Sequence, residues 1–467
     1  MRFDLVVRNG RVVDGDEVLE ADVGISEGVV AALGPGLGPG ETEIEAGGRY
    51  VIPGGVDSHV HLGQVSSMGD VTADDFWTGS RSAVHGGTTT IVPFAAQHRG
   101  LSALEVLHDA LERARQQATI DFAFHVIITD WARAEPELRQ AAGLGIVGVK
   151  VYLTYDRLKL DGSQILAVMA AARDLGLTVM IHAEDDAMVT AGRERAIAAG
   201  ELGARGHAAS HSRSAELAGV TAAIALAEEA GTALYLAHIS TPEAVAVATG
   251  GRARGLDVTV ETCPHYLLLD ESLLDQPIET AAPFMSSPPV RGSSERAGLL
   301  AALGRGEIDV VASDHSPYTM EQKLPDGAAT SFTRVANGLP GVELRLPLLY
   351  SACVASSILP ITDFVRLIST NPAKACGLYP RKGSLAPGAD ADLVVWSEEV
   401  RTVHYDALHD AVGYTPYEGM EFTGWPEVVI ARGEVLVAEG SDATSRGRGN
   451  FVARLAPAGE RGYLGPR

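Results

Sequence analysis

The sequence predicts an α/β protein: a (β/α)8 TIM barrel that carries a small β-sandwich domain formed from both chain ends. In the middle of the chain, apolar runs of strand length alternate with Ala- and Leu-rich segments of helical period, which is typical of a parallel sheet covered by helices. Both ends are instead β-rich and broken by glycine. The 467 residues suffice for both units, because one β/α barrel takes about 250 residues.

The first fifty residues have the pattern of short strands separated by turns. Strand-like runs at 5–8, 11–13 and 21–25 precede the turn-rich segment G-P-G-L-G-P-G at 34–40. The same composition returns in A-D-L-V-V-W and V-V-I-A-R-G-E-V-L-V near the other end. The predicted division is 1–52 and 379–440 for the sandwich, 53–378 for the catalytic barrel, and 441–467 for a C-terminal tail in subunit contact.

Eight apolar runs between these ends have the length of strands, and segments such as 101–115 and 218–230 have the spacing of amphipathic helices. This count favours a barrel and leaves a doubly wound open sheet as the alternative. No Gly-x-Gly-x-x-Gly follows the first run, which speaks against dinucleotide binding. The eight runs are Val56–His61, Thr88–Phe94, Asp121–Ile128, Ile146–Leu153, Leu177–His182, Ala233–Ile239, Leu256–Thr262 and Ile308–Asp314.

Charge and cysteine content exclude several classes of protein. Asp and Glu number 60 against 37 Lys and Arg, and the formal charge of −23 argues against a nucleic-acid partner. Three scattered cysteines form no disulfide framework and no Cys-x-x-Cys pair, so we expect a cytoplasmic protein. The amino terminus lacks a signal-peptide pattern, and no run reaches the roughly 18 apolar residues of a membrane span.

Metal-binding residue types stand where the predicted strands end, which is where barrel enzymes place their catalytic groups. His59 and His61 are two residues apart, so a strand directs both side chains to one face and they can share a cation. His182, His238 and Asp314 end three other runs. Nitrogen and oxygen ligands without thiolate favour zinc, with manganese or cobalt as substitutes.

Lys150 lies inside the apolar run G-I-V-G-V-K-V-Y-L. A lone lysine there would extend to water. Beside divalent cations, repulsion and desolvation would instead lower its pKa and leave a neutral amine. Such an amine can add carbon dioxide to form a carbamate, whose two oxygens can bridge two metals about 3.5 to 4 Å apart.

Several motifs accompany these residues through almost the whole chain. On them the sequence resembles the cyclic amidohydrolases of the urease-related superfamily and is most similar to the dihydropyrimidinase and D-hydantoinase family. The motifs are P-G-G-V-D-S-H-V-H at 53–61, V-T-A-D-D-F at 71–76, G-G-T-T-T at 86–90, K-V-Y-L-T-Y-D-R-L-K-L-D at 150–161, H-A-E at 182–184, E-T-C-P-H-Y at 261–266, S-D-H-S-P at 313–317, N-G-L-P-G-V-E at 337–343 and Y-T-P-Y-E-G at 414–419.

The resemblance implies a binuclear zinc hydrolase that opens dihydropyrimidines such as dihydrouracil, and 5-substituted hydantoins, to N-carbamoyl amino acids. A metal-bridging hydroxide would attack the carbonyl. The implied partners are these small cyclic amides or imides and further copies of the chain in a homotetramer. The implied metal ligands are His59, His61 and Asp314 on one zinc, His182 and His238 on the other, and Lys150, as N6-carboxylysine, on both.

The resemblance also implies roles in catalysis and substrate binding. Asp314 would act as general base and acid, and Tyr155 would donate a hydrogen bond to the oxyanion. The backbone around Ser287 and Asn337 would hold the amide edge of the substrate. Three further residues are assigned from their sequence context: His125 as a core histidine, His315 as a support of Asp314, and Cys263 as structural.

Related activities remain as alternatives. Dihydroorotases of the superfamily carry an arginine where this chain has Gly63, so a carboxylate-bearing ring is disfavoured. Allantoinase stays open because the metal centre does not distinguish the ring substituent. The loop at 62–69, L-G-Q-V-S-S-M-G, is more polar than expected for bulky aromatic hydantoins. A non-catalytic scaffold would lack metal ligands, and a phosphotriesterase-like enzyme would lack the flanking β unit.

Overall fold

The computed structural model describes residues 2–15, 17–66, 69–439 and 441–454. Strands in these residues form two sheets. The strands are β1 (Phe3–Asp14), β2 (Glu17–Ser26), β3 (Val29–Gly34), β4 (Gly40–Glu45), β5 (Tyr50–Pro53), β6 (Gly55–Val60), β7 (Thr88–Ala96), β8 (Asp121–Phe122), β9 (His125–Ile127), β10 (Gly148–Tyr152), β11 (Thr178–His182), β12 (Leu234–Leu236), β13 (Val258–Thr262), β14 (Val310–Val311), β15 (Leu393–Thr402), β16 (Glu421–Ala431), β17 (Glu434–Ala438) and β18 (Ser441–Asp442).

Helices connect the strands of the second sheet and continue beyond it. Short 3-10 helices and two π-helical turns, Tyr350–Val354 and Arg366–Thr370, lie among them. The α-helices are α1 (Phe76–His85), α2 (Ala103–Gln117), α3 (Trp131–Gly143), α4 (Gly162–Asp174), α5 (Asp186–Ala198), α6 (Ala204–Ser210), α7 (Arg213–Ala230), α8 (Pro242–Ala253), α9 (Pro264–Leu268), α10 (Ile278–Ala281), α11 (Ser293–Gly304), α12 (Met320–Lys323), α13 (Arg345–Leu349), α14 (Ile361–Val365) and α15 (Asn371–Ala375).

The second sheet is parallel and runs from β6 through β7, β9, β10, β11, β12 and β13 to β14, with β8 also paired to β7. Its ends meet, because the His61 N–H donates to the His315 carbonyl at 2.8 Å and Val60 forms a bridge with His315. Each of the eight predicted runs contains strand residues, the third as two short strands. The predicted TIM-barrel-like domain is therefore confirmed.

The barrel strands are buried because helices cover their outer face and neighbouring side chains fill the interior. Every residue of β10 is buried, as is every residue of β11. Helix α7 illustrates the connections: the Ser212 hydroxyl caps its start by accepting from the Ala215 N–H at 3.2 Å, and Gly231, at φ 65°, ends it. The chain then enters β12, which leads to His238.

Strands from both chain ends form the other sheet, in the order β18, β17, β16, β15, β5, β1, β2 and β3, with β4 also paired to β1. The ends join where β15 pairs antiparallel with β5. One hydrophobic cluster contains buried side chains of both ends, including Val7, Val23, Leu393 and Ile430. The predicted β-rich domain is thus present, and its strands form a single hydrogen-bonded sheet.

A buried charge cluster joins this sheet to the barrel. The Lys382 ammonium lies 2.7 Å from Asp121, 2.9 Å from Asp390 and 2.8 Å from Asp392. Burial lowers the pKa of Lys382, but the three carboxylates outweigh burial and raise it. Asp121 belongs to β8, whereas Lys382, Asp390 and Asp392 precede β15, so the cluster ties the two domains together.

Removal of this cation should destabilise the fold strongly. Lys382→Met removes the cation shared by the three carboxylates and leaves Asp121 paired only with Arg432 and Asp390 only with Arg381. We expect the free energy of unfolding to fall by about 3–5 kcal/mol. The half-exposed Lys159, which pairs with Asp156 and Asp186, is the control, because its replacement by Met should cost about 1 kcal/mol or less. Urea unfolding monitored by circular dichroism measures both values. Equal stability of the two variants would contradict the prediction.

The described part of the predicted tail packs on its own barrel. The Phe122 N–H donates to the Asn450 carbonyl, the Val452 N–H donates to the Phe122 carbonyl, and the Val452 side chain is fully buried. Residues 455–467, which carry the rest of the predicted subunit contact, lie outside the described residues. No helix among the residues described has the length and apolar character needed to cross a membrane.

Candidate active site

One cavity opens where the barrel strands end, and all of the predicted site residues line it. They come from segments far apart in the chain, so the fold brings the predicted set together, while their individual roles stay predictions. The predicted residues are His59, His61, Lys150, Tyr155, His182, His238, Ser287, Asp314 and Asn337. The remaining wall is formed by Gln64, Ser66, Tyr152, Leu158, Ser316, Tyr318, Ala336 and Gly338.

His59, His61 and Asp314 form a compact cluster of candidate metal ligands. Asp314 Oδ1 lies 3.1 Å from His59 Nε2 and 3.3 Å from His61 Nε2. Ligand atoms of all three residues lie within 4.8 Å of one another. Asp314 has φ 46°, a left-handed conformation that costs an aspartate of order 1 kcal/mol and that recurs at functional sites. Burial would raise the pKa of its carboxyl, but His59, His61 and His238 hold it well below its usual range.

Two acceptors fix the orientation of these imidazoles. His59 Nδ1 donates to Glu261 Oε1, and His61 Nδ1 donates to Gln64 Oε1, each at 2.8 Å. A carboxylate or amide oxygen only accepts, so Nδ1 carries a proton, and in the neutral ring the Nε2 lone pair faces Asp314. A ring that holds a second proton instead donates from Nε2 to Asp314. Lone pairs that converge in this way on a carboxylate need a proton or a metal ion between them. The cluster therefore fits a divalent metal.

His182 and His238 form a second group of nitrogen donors. Their facing atoms, His182 Nδ1 and His238 Nε2, are 3.0 Å apart. The other ring nitrogen of His182 donates to Glu184 Oε2 at 2.8 Å, which leaves the Nδ1 lone pair directed at His238. His238 lies at φ 41°, and its backbone N–H donates to Glu261 Oε1 at 2.8 Å. Glu261 thus supports one histidine from each group.

Lys150 provides the test of whether the donors fit a bridged pair of metals. Its Nζ is buried and has no hydrogen-bond partner among the residues that the structure describes. Burial lowers the pKa of this amine to about 8, against the opposing effect of Glu261 and Asp314. An ammonium without a partner is costly to bury, and the neutral amine is the form that adds carbon dioxide. The residues present therefore fit a metal pair bridged by a carbamate.

Tyr155, Ser287 and Asn337 line the same cavity. Tyr155 follows β10 at φ 74°, and burial raises the pKa of its hydroxyl well above the usual value, so the hydroxyl remains a hydrogen-bond donor. Ser287 and Asn337 belong to two loops that meet, because the Gly338 N–H donates to the Met285 carbonyl at 3.0 Å.

Sequence reasoning did not single out Glu261, Glu184 and Gln64. Glu261 also accepts from Tyr235 Oη at 2.7 Å, and Glu184 also binds His211 Nδ1 at 2.9 Å. Their signal was present, since Glu261 begins E-T-C-P-H-Y and Glu184 ends H-A-E. A carboxylate two residues after a histidine does not reveal which ring nitrogen it binds, so only the folded chain shows these contacts.

Three further predictions concern residues near the site. His125 is buried in β9, where it stacks on Phe94, and burial lowers its pKa to about 3, which agrees with a core histidine. Cys263 is fully buried and burial raises the pKa of its thiol, which agrees with a structural role. His315 binds Asp74 at 3.0 Å and accepts from the Gly341 N–H at 3.1 Å, so its side-chain contacts lead away from Asp314.

Comparison with known proteins shows the family of the chain. Residues 50–436 match the model of the amidohydrolase family, whose members depend on metal. The chain is 36% identical over 455 residues to a D-hydantoinase of Ralstonia pickettii, covering 97% of this chain and 99% of that protein.

Solved structures of similar proteins have the same overall fold. D-hydantoinase from Bacillus sp. AR9 superposes with a TM-score of 0.93 at 37% identity, covering 96% of this chain and 98% of that one. L-hydantoinase (dihydropyrimidinase) from Arthrobacter aurescens superposes with a TM-score of 0.89 at 29% identity, covering 97% and 100%. The chain therefore belongs to the amidohydrolase family, within its group of hydantoinases and dihydropyrimidinases, and the prediction of a cyclic amidohydrolase is confirmed.

Proposed function

We propose that the protein opens dihydropyrimidines such as dihydrouracil, and 5-substituted hydantoins, to N-carbamoyl amino acids with the help of two divalent metal ions. The observation that carries this proposal is Lys150, a buried amine without a hydrogen-bond partner among the described residues, in a cavity lined by four histidines and Asp314. This donor set supports a metal-dependent hydrolytic centre.

In this proposal His59, His61 and Asp314 hold one ion, and His182 and His238 hold the other. Lys150, as N6-carboxylysine, would help to hold both. Zinc suits these nitrogen and oxygen donors, with manganese or cobalt as substitutes. When bound, the two ions supply Lewis-acid polarisation of the carbonyl and a water of lowered pKa.

The chain's own residues move the proton and stabilise charge. Asp314 is ionised at neutral pH, so it can take the proton of the attacking water and pass it to the departing ring nitrogen. Tyr155 keeps its hydroxyl proton and donates to the oxygen on which negative charge develops. The backbones of Ser287 and Asn337 bind the amide edge of the ring and hold the carbonyl in place for attack.

Replacement of the tyrosine hydroxyl tests the proposed oxyanion contact. Tyr155→Phe removes one donor that acts mainly in the transition state, so we expect kcat to fall by about 10²–10³-fold with a small change in KM. Steady-state kinetics on a hydantoin measures both constants. The exposed Tyr405, replaced by Phe, is the control for loss of a hydroxyl. An unchanged kcat for Tyr155→Phe would contradict the assignment.

The side chains that line the cavity favour a substrate ring without a carboxylate group. No arginine is among the described residues that line it. At the position where dihydroorotases carry an arginine, Gly63 has φ 55°, and the nearby Arg113 guanidinium donates to the Gly63 carbonyl. That guanidinium is therefore engaged with the backbone and is not a lining group of the cavity.

Allantoinase is the second candidate, because Gln64 and Ser66 give part of the cavity wall a polar character suited to a ureido group. A substrate panel on zinc-loaded enzyme with bicarbonate separates the two candidates: dihydrouracil, 5-substituted hydantoins of each hand, allantoin and dihydroorotate. We expect turnover of dihydrouracil and hydantoins. Turnover of allantoin alone would favour the second candidate, and turnover of dihydroorotate alone would contradict both.

Light scattering tests the proposed homotetramer.

A further inference from the structure

Helix α12 contains a lysine that the proposed mechanism does not use. Lys323 is fully buried, and its Nζ donates to the Met285 carbonyl at 3.2 Å and to the Ala336 carbonyl at 3.0 Å. Thr319 caps the start of this helix, because its hydroxyl accepts from the Gln322 N–H in a capping box. The side chain of Lys323 thus emerges from a fixed turn and ends between two loops.

These two loops are the ones that carry the proposed substrate contacts. Met285 precedes Ser287 by two residues, and Ala336 directly precedes Asn337. Apart from Lys323, the Gly338 N–H also links the loops by donating to the Met285 carbonyl at 3.0 Å. The amine therefore adds a second bridge at the base of both proposed substrate-binding segments.

The choice of lysine at this place needs an explanation, because a methionine would fill similar space without desolvating an amine. Burial lowers the pKa of Lys323 to about 7, and both bonded acceptors are neutral carbonyls. The neutral amine and the ammonium each carry at least two N–H groups, so either form can bind both carbonyls. What lysine provides is two donors at the end of a long, buried side chain.

Helix α12 also contacts the loop that contributes Gln64 and Ser66 to the cavity wall. Gln322 Nε2 donates to the Val71 carbonyl at 2.7 Å, and Tyr318, just before the helix, lines the cavity. This short helix is therefore joined to three segments that line the cavity.

We propose that Lys323 is a positioning residue that holds the Ser287 and Asn337 segments at the spacing required to bind the amide edge of the substrate. The inference rests on the proposed function, which assigns substrate binding to those two segments. Lys323 acts through the backbone of its neighbours and does not touch the substrate.

The test compares Lys323→Met, which retains bulk but no donor, with Lys323→Gln, whose amide nitrogen has two N–H groups. For Lys323→Met we expect KM for a hydantoin to rise about tenfold while kcat changes by less than about threefold, because ground-state and transition-state binding are lost together. Lys323→Gln should recover most of the loss in KM. Zinc content should stay at the wild-type value in both variants.

Hydrogen exchange supplies a readout independent of turnover. In Lys323→Met, amide protection should fall in peptides covering 285–290 and 336–341 and stay unchanged in those covering β10 and β11. The control is Lys374→Met, a half-buried lysine that stacks on Tyr379 outside the cavity. An unchanged KM with unchanged exchange, or equal KM values for the Met and Gln variants, would overturn the inference. Wild-type enzyme inactive on every cyclic amide would instead refute the proposed function.

Discussion

The Lys150→Ala protein is expected to lose bound metal and nearly all activity. If the carbamate of Lys150 holds both ions, its removal leaves one ion with His59, His61 and Asp314 and the other with His182 and His238 alone. It also removes one negative charge from beside the two cations. We expect kcat/KM to fall by at least about 10³-fold, the size of effect that loss of a metal-based nucleophile produces. Metal analysis of the purified variant should show fewer than two ions per chain.

A short carboxylic acid should partly restore this variant. Alanine leaves a space at the place of the Lys150 amine, whose Nζ lies 5.8 Å from the centroid of the Phe94 ring and 5.4 Å from that of the Tyr152 ring. Acetate or propionate can enter that space and supply the missing bridging carboxylate. The corresponding amides, acetamide and propionamide, are the control because they lack the charge. Retention of both metals with full turnover in Lys150→Ala would refute the bridging role.

The sequence predicted the existence of the barrel strands better than the residues at which each strand begins and ends. Alternation of apolar runs and helical segments is a local pattern, so the eight strand positions were readable. The third run divides into β8 and β9 because Ala123 and Phe124 leave the ladder between them. Residue types alone do not predict such a local break. All of 121–128 are buried, so an apolar or buried position does not show whether the backbone there is a strand or a bend.

The candidate site was also predictable only in part. Residues at strand ends were predictable, because parallel strands bring their carboxyl ends to one face of a barrel. Residues that orient or support those site residues were not predictable. Glu261 orients His59 from 202 positions away, and Lys323 bridges carbonyls 38 and 13 positions away. Such contacts depend on the register between segments, which a single sequence does not determine.

Asp314→Asn should separate metal binding from proton transfer. The amide oxygen of asparagine can still bind a metal, but the side chain cannot take a proton from water near neutral pH. We expect kcat to fall by about 10²–10⁴-fold, the contribution typical of general acid–base catalysis, with zinc still bound. Steady-state kinetics together with metal analysis of the same preparation measures both properties.

The pH profile gives a second criterion for Asp314. The three surrounding histidines hold the pKa of its carboxyl well below the usual range, so the carboxylate form is present above that pKa and is lost only as pH falls through it. Wild-type kcat should therefore show no loss from protonation of this carboxyl between about pH 5 and 7, since an ordinary aspartate already titrates near 3.9. The exposed Asp109, which pairs with Arg113, provides the control as Asp109→Asn. If Asp314→Asn kept both metals and wild-type kcat, another group would have to be the base.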